Sequence, residues 1–190
     1  MSDEIRAFVA IDLDNAARRA AAGVLSRLRS GPDAGAVRWV RPEALHVTLR
    51  FLGNIDASRV APLARAVGAE LARVAPFELA LGAVALFPTP RRPRVVALEL
   101  EPEARVAELA AAVERGAVAA GFAPEPRRFR AHLTLGRIPG ARPPALPGAA
   151  DAPGARFRVG EAVLFRSDLS PSGARYTPLE RMPLGGTVHP

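Results

Sequence analysis

The 190 residues suit one domain or two small fused lobes, and with 49% apolar and 24% charged residues the chain is an ordinary globular mix rather than a disordered one. It has no cysteine and three histidines, which excludes disulfides and thiolate metal sites, argues against a histidine-rich zinc site and sets a cytoplasmic location as the expectation. All 26 basic residues are arginine, and the net charge of +7 favours an anionic partner, because a guanidinium meets phosphate through a planar fork of donors. The opening MSDEIRAFVAIDLD returns to charge too soon for a signal peptide, and no apolar run is long enough to span a membrane.

In chain order, residues 5–11 (IRAFVAI) predict a strand closed by Asp12. Residues 15–28 predict a helix capped by Asp14 or Asn15 and stopped by Gly31-Pro32. Two strands follow, 37–40 and 44–52, separated by Arg41-Pro42-Glu43; then a helix over 57–74 and a strand over 77–87. The prolines of 88–93 leave room only for a loop. A strand over 94–100 leads to a helix over 102–120, with Pro102 in its first turn and Gly121 just past its end. Residues 129–138 predict a strand, 139–155 an irregular surface loop and the most disordered stretch, and 157–165 a strand. After a turn at 170–173, residues 176–183 predict another strand. The mixed order and short turns indicate an α+β fold rich in antiparallel pairing, with a weak internal duplication.

That duplication is sharpest in two short stretches, LHVTLRFLG (45–53) and AHLTLGR (131–137). Each holds a histidine, an apolar residue, a threonine and a leucine in one frame. With five threonines in the chain, a threonine two places after each of two given histidines is a coincidence of roughly one in a thousand. Alternate residues of a strand share a face, so His46 pairs with Thr48, and His132 with Thr134. The same parity adds Arg50 to the first polar face and Arg130 to the second, and sets Arg137 on the opposite side. Two imidazoles with no metal suit acid–base hydrolysis of a phosphodiester: one neutral ring takes a proton from water and one protonated ring gives a proton to the leaving oxygen. Threonine hydroxyls and arginines can then hold the phosphate oxygens where charge builds.

The two motifs resemble the His-x-Thr-x signatures of the two-histidine (2H) phosphoesterases. RAFVAIDL, WVRPEALHVTLRFLGNI, FPTPRRPRVVALEL, FRAHLTLGR and LFRSDLSPSGARYTPLERMPL further resemble blocks of the bacterial and archaeal RNA 2′,3′-cyclic phosphodiesterase branch, often called 2′-5′ RNA ligase-like. Ala131 departs from the family pattern, which places proline before the second histidine. The resemblance implies a single domain over 1–190 built of two duplicated, pseudo-symmetric lobes, each an antiparallel sheet backed by helices, with a positive cleft between them. It implies that His46 protonates the leaving 3′-oxygen, that His132 activates water, that Thr48 and Thr134 hold the phosphate, and that the product is a 2′-phosphomonoester. It also implies no metal and no cofactor, RNA 2′,3′-cyclic phosphate ends as substrate with tRNA fragments among them, no membrane partner and a monomer. Arg137 matches a position where the family often has arginine. RNA ligation through a 2′–5′ bond and a non-catalytic RNA-end binding module are the alternatives.

Other residues are open to two readings. Trp39, Phe51, Phe87 and Tyr176 could stack a base or belong to the core. Arg91, Arg92 and Arg94 could touch a longer RNA or be solvated. His189 is expected to be frayed and without function.

Overall fold

The computed structural model describes residues 3–140, 144, 153–170 and 173–185. His189, most of the loop expected at 139–155 and the centre of the turn expected at 170–173 lie outside the described residues. The elements run β1 (Glu4–Asp12), α1 (Asn15–Arg29), β2 (Arg38–Trp39), β3 (His46–Asp56), α2 (Val60–Leu71), β4 (Phe77–Phe87), β5 (Val95–Glu101), α3 (Glu103–Ala119), β6 (Leu133–Arg137), β7 (Arg156–Val159), β8 (Glu161–Ser170) and β9 (Gly173–Pro183).

The strands form two antiparallel sheets, one of order β3-β1-β8-β9 and one of order β2-β6-β5-β4-β7. The α+β, two-lobed expectation holds. The lobes are not successive halves of the chain, however. The first sheet takes β1 and β3 from the N-terminal part and β8 and β9 from the C-terminal part, while the second takes β2 from between β1 and β3 and β4 to β7 from between β3 and β8.

Local chemistry sets the helix limits. The Asp14 side chain accepts from the Ala17 amide at 2.7 Å and caps α1, whose buried face is Ala17, Ala21, Val24, Leu25 and Leu28. A short 3-10 turn over Ala57–Arg59, rather than α-helix, precedes α2, and Pro62 falls in the helix's first turn, where its missing amide costs nothing. Pro102 is the N-cap of α3, and Gly121 ends that helix with φ of +81°. Helices α2 and α3 pack closely at Gly116: a Cβ there would lie 2.5 Å from the Val67 Cα.

Three strand expectations need correction. Residues 129–132 are not strand, because β6 begins to pair with β5 only at Leu133↔Leu98. The stretch 157–165 is two strands in different sheets, since the chain breaks at Gly160 between β7 and β8. Residues 42–44 form a 3-10 turn, so β3 starts at His46.

Strand β1 shows how the sheets are dressed. Ile5, Ala7, Val9 and Ile11 face the main core with the helices. Phe8 and Ala10 face the other way, into a small second cluster with Val163, Phe165 and Tyr176. That second face carries the site. Among the described residues no helix is long and apolar enough to cross a membrane.

Candidate active site

His46 opens β3 and His132 immediately precedes β6, so each sheet contributes one imidazole. The two rings are held alike. His46 Nδ1 lies 2.8 Å from the Ala44 carbonyl, and His132 Nδ1 lies 2.8 Å from the Arg130 carbonyl. A carbonyl only accepts, so Nδ1 carries the hydrogen and, in the neutral ring, the lone pair is on Nε2. His46 Nε2 meets the Thr48 hydroxyl at 2.9 Å. The His46 ring packs 4.8 Å from Phe8 and 4.9 Å from Tyr176, edge-on to the latter. His132 stacks on Phe87 with centroids 5.0 Å apart, and the Arg130 guanidinium, which donates to the Pro88 carbonyl at 2.7 Å, lies 5.0 Å from the same Phe87 ring.

Two β-bulges change which neighbours share the histidine faces. In β3, Thr48 pairs with Ala10 and Arg50 with Val9, leaving Leu49 as the extra residue. In β6, Thr134 pairs with Ala97 and Gly136 with Val96, leaving Leu135 extra. Each bulge falls on the leucine after the threonine and flips the parity beyond it. Arg50 therefore does not share the face of His46 and Thr48, as simple alternation would have it. It is 8% exposed, ion-paired with Glu114 and bonded to the Ala123 carbonyl. Phe51 takes the cleft side instead and is 47% exposed. By the same shift Arg137 turns onto the face of Thr134. Arg50→Met is expected to lower stability by about 3 kcal/mol, since it leaves the Glu114 charge uncompensated in a partly buried site. Chemical denaturation with the activity of the folded fraction checks this; a loss of under about 1 kcal/mol would contradict it.

The cleft has two chambers. One, of about 480 Å³, is lined by His132, Arg128, Phe129 and Arg130. The other, of about 510 Å³, is lined by His46, Phe8, Tyr176 and Arg6. Thr48, Thr134, Phe51, Arg127 and Arg137 line both. The structure thus brings together both histidines, both threonines, Arg130 and Arg137, and Arg50 lines the His132 chamber on its Glu114 side. Arg91, Arg92 and Arg94 line neither chamber and are exposed on the β4–β5 loop. Trp39 is half-buried against the main core and donates its indole N–H to the Ala34 carbonyl at 2.9 Å. Sequence reasoning misses Phe8 and Arg127. Alternation along β1 would place Phe8 on the cleft side of the sheet, whereas Arg127 sits in an irregular segment with no periodicity to read.

Burial pushes both imidazoles below the ordinary histidine value. For His46 the bond to Ala44 and the Asp12 carboxylate oppose that shift, while Arg137 and Arg18 add to it. For His132 the bond to the Arg130 carbonyl opposes it, and the Arg137 and Arg130 guanidinium groups add to it. Arg137 thus acts on both rings. Among the described residues no three His, Asp or Glu side chains are grouped to hold a metal ion.

Two antiparallel sheets that each present one imidazole to a shared, arginine-lined cleft define a two-lobed, two-histidine α+β class. The model of the LigT-like phosphoesterase family matches the chain twice in succession, over residues 11–97 and 98–176, and the chain belongs to that family. It is 34% identical over 182 residues to a protein of Methanothermobacter thermautotrophicus named RNA 2′,3′-cyclic phosphodiesterase, covering 93% of this chain and 97% of that one. The crystal structure of TT0787 of Thermus thermophilus superposes with a TM-score of 0.75 at 31% identity, covering 96% of this chain and 99% of that one. Escherichia coli LigT complexed with 3′-AMP superposes with a TM-score of 0.74 at 28% identity over the same shares.

Proposed function

We propose that the protein hydrolyses RNA 2′,3′-cyclic phosphate ends to 2′-phosphomonoesters by paired-histidine acid–base catalysis without a metal ion. The observation that carries this reading is the matched pair of imidazoles, each with Nδ1 tied to a carbonyl, which makes Nε2 the proton-exchanging atom; at His46 that atom also meets the Thr48 hydroxyl. In the proposed reaction water attacks phosphorus as neutral His132 takes its proton. The bond to the 3′-oxygen breaks as His46 protonates that oxygen, and the bond to the 2′-oxygen remains. Thr48, Thr134 and Arg137 hold the non-bridging oxygens, where charge grows. For the acid and base assignment, a carboxylate, Asp12, favours imidazolium at His46 against Arg137 and Arg18, whereas no carboxylate opposes Arg137 and Arg130 at His132. The names of the relatives and the 3′-AMP complex of Escherichia coli LigT support the choice of substrate. The same reading makes the protein a cytoplasmic monomer acting on RNA ends such as those of tRNA fragments.

With two imidazoles supplying acid and base, EDTA is expected to leave turnover of a short RNA ending in a 2′,3′-cyclic phosphate unchanged. Loss of turnover restored by zinc or magnesium would sink the metal-free mechanism.

The pH dependence follows from the lowered imidazole values. One ring must be neutral and one protonated, so kcat/KM is bell-shaped and its limbs belong to the pair. Both free-enzyme values lie below the usual ~6.5, so the maximum is expected on the acid side of that value. Bound phosphate favours imidazolium, so the kcat profile is expected to lie at higher pH than that of kcat/KM. A kcat/KM maximum above pH ~7, with chemistry rate-limiting, would contradict this.

The chamber beside His132 favours one second reading. Its volume of about 480 Å³ far exceeds one water, so it could admit an RNA hydroxyl in place of water and form a 2′–5′ linkage. Product analysis with and without an added 5′-hydroxyl RNA separates the two.

A further inference from the structure

We propose that Asp12 and Arg18 are positioning residues for His46, Arg18 by locking the turn that orients its ring and Asp12 by anchoring Arg18 across the strand from it. This rests on the acid role proposed for His46, but three observations are independent of that role.

First, Asp12 is the cross-strand partner of His46 in the β1–β3 register, and it has the same parity along β1 as Phe8 and Ala10, the residues that face the cleft. Second, Asp12 is tied down: its Oδ1 accepts from the Leu13 amide at 3.0 Å and from Arg18 Nη2 at 2.6 Å. Third, Arg18 spends its other terminal nitrogen on the turn before His46. Nη1 donates to the carbonyls of Pro42 and Leu45, each at 3.0 Å, and to that of Glu43 at 3.2 Å.

The carbonyl missing from that set is Ala44's, and it is the one that accepts from His46 Nδ1. One guanidinium from α1 therefore fixes the carbonyls on both sides of the group that orients the ring. A surface ion pair alone would be worth little, but here the guanidinium has a job that only a planar fork can do. Lysine carries the charge and cannot reach the same set of acceptors. His132 is held by the same kind of carbonyl, yet its guanidinium neighbour Arg130 bonds to Pro88 rather than to a carboxylate. The clamp is particular to His46.

Among the described residues, the charged and titratable groups around His46 are Asp12 on β1, Arg18 on α1, Arg137 on β6 and Tyr176 on β9; Glu43, in the preceding turn, is exposed to solvent. Of these only Asp12 carries negative charge toward the ring. Replacing it with asparagine removes the charge that, beside the bond to Ala44, favours imidazolium, and leaves Arg18 uncompensated. His46 should then titrate at lower pH, with His132 unmoved.

The test uses the full chain and follows the imidazole proton resonances of His46 and His132 by NMR alongside kcat and KM. Asp12→Asn is expected to move the His46 titration to lower pH and leave that of His132 in place. Arg18→Met is expected to lower kcat about 10-fold to 10²-fold with KM within about twofold, since it misplaces the proton donor and not the phosphate. Arg18→Lys should not restore it. The double variant should lose little beyond the larger single loss, because the two residues act as one unit. An unmoved His46 titration in Asp12→Asn, with wild-type kcat in folded Arg18→Met, would overturn the proposal. If Arg18→Met does not fold, Asp12→Asn decides alone. The outcome differs from a failure of the acid role itself: there, His46→Ala would keep its turnover whatever the titrations show.

Discussion

His46→Ala and His132→Ala are each expected to lower kcat on a short RNA ending in a 2′,3′-cyclic phosphate by at least ~10²-fold, the scale of a lost general acid or base. Each removes an imidazole that lines a cleft chamber, and each ring is fixed through Nδ1 to a carbonyl, with His46 also bonded to Thr48. Neither ring bears on the main core, so thermal unfolding should stay close to wild type. The double variant should lose little more than the worse single one, because acid and base serve a single step. Each single variant should also lose one limb of the pH profile. Folded His132→Ala protein with near-wild-type kcat would refute its role as base.

Arg137→Met is expected to lower kcat by ~10²-fold, within the range for loss of one preorganised donor to a transition-state oxygen. The residue lines both chambers and depresses both imidazoles. Its removal should therefore have a second signature, a shift of the whole pH profile to higher pH. The sign is fixed: taking away a cation makes each imidazolium easier to form. Arg137→Lys should keep most of the profile, because the charge remains, and recover only part of kcat, because the planar fork does not. Steady-state kinetics across pH on the three proteins checks both signatures. Wild-type kcat in Arg137→Met, with the profile unmoved, would remove the residue from the site.

What the sequence reveals here depends on how local the cause is. Helix limits are legible because single residues set them: Asp14 caps α1, and Gly121 takes the positive φ that ends α3. The pairing of His46 with Thr48 needs only strand alternation. The arginines need more. HVTLRF and HLTLGR alternate without a break, so nothing in them announces that Leu49 and Leu135 are extra residues in their ladders. A bulge is a property of two strands, and the partners β1 and β5 decide it. That is why alternation puts Arg50 on the face of His46 and Thr48 and Arg137 off the face of Thr134, when the register does the reverse; Arg50 reaches the His132 chamber from its Glu114 side. The interleaving of the lobes is likewise a long-range choice, with β8 returning to β1 after the second sheet is complete. Asp12 reads as the end of a strand, which it is; its place opposite His46 follows only from register.

The central claim is that two histidines open a cyclic phosphate toward the 2′-monoester. The measurement that tests it most directly is product identity in ¹⁸O-labelled water. A short RNA ending in a 2′,3′-cyclic phosphate would be incubated with the protein in EDTA, and its product followed by phosphorus NMR and mass spectrometry. The account predicts a 2′-phosphomonoester carrying a single ¹⁸O, formed by the wild type and not by His46→Ala or His132→Ala. A 3′-phosphomonoester, or the same product from a folded protein lacking both histidines, would contradict it.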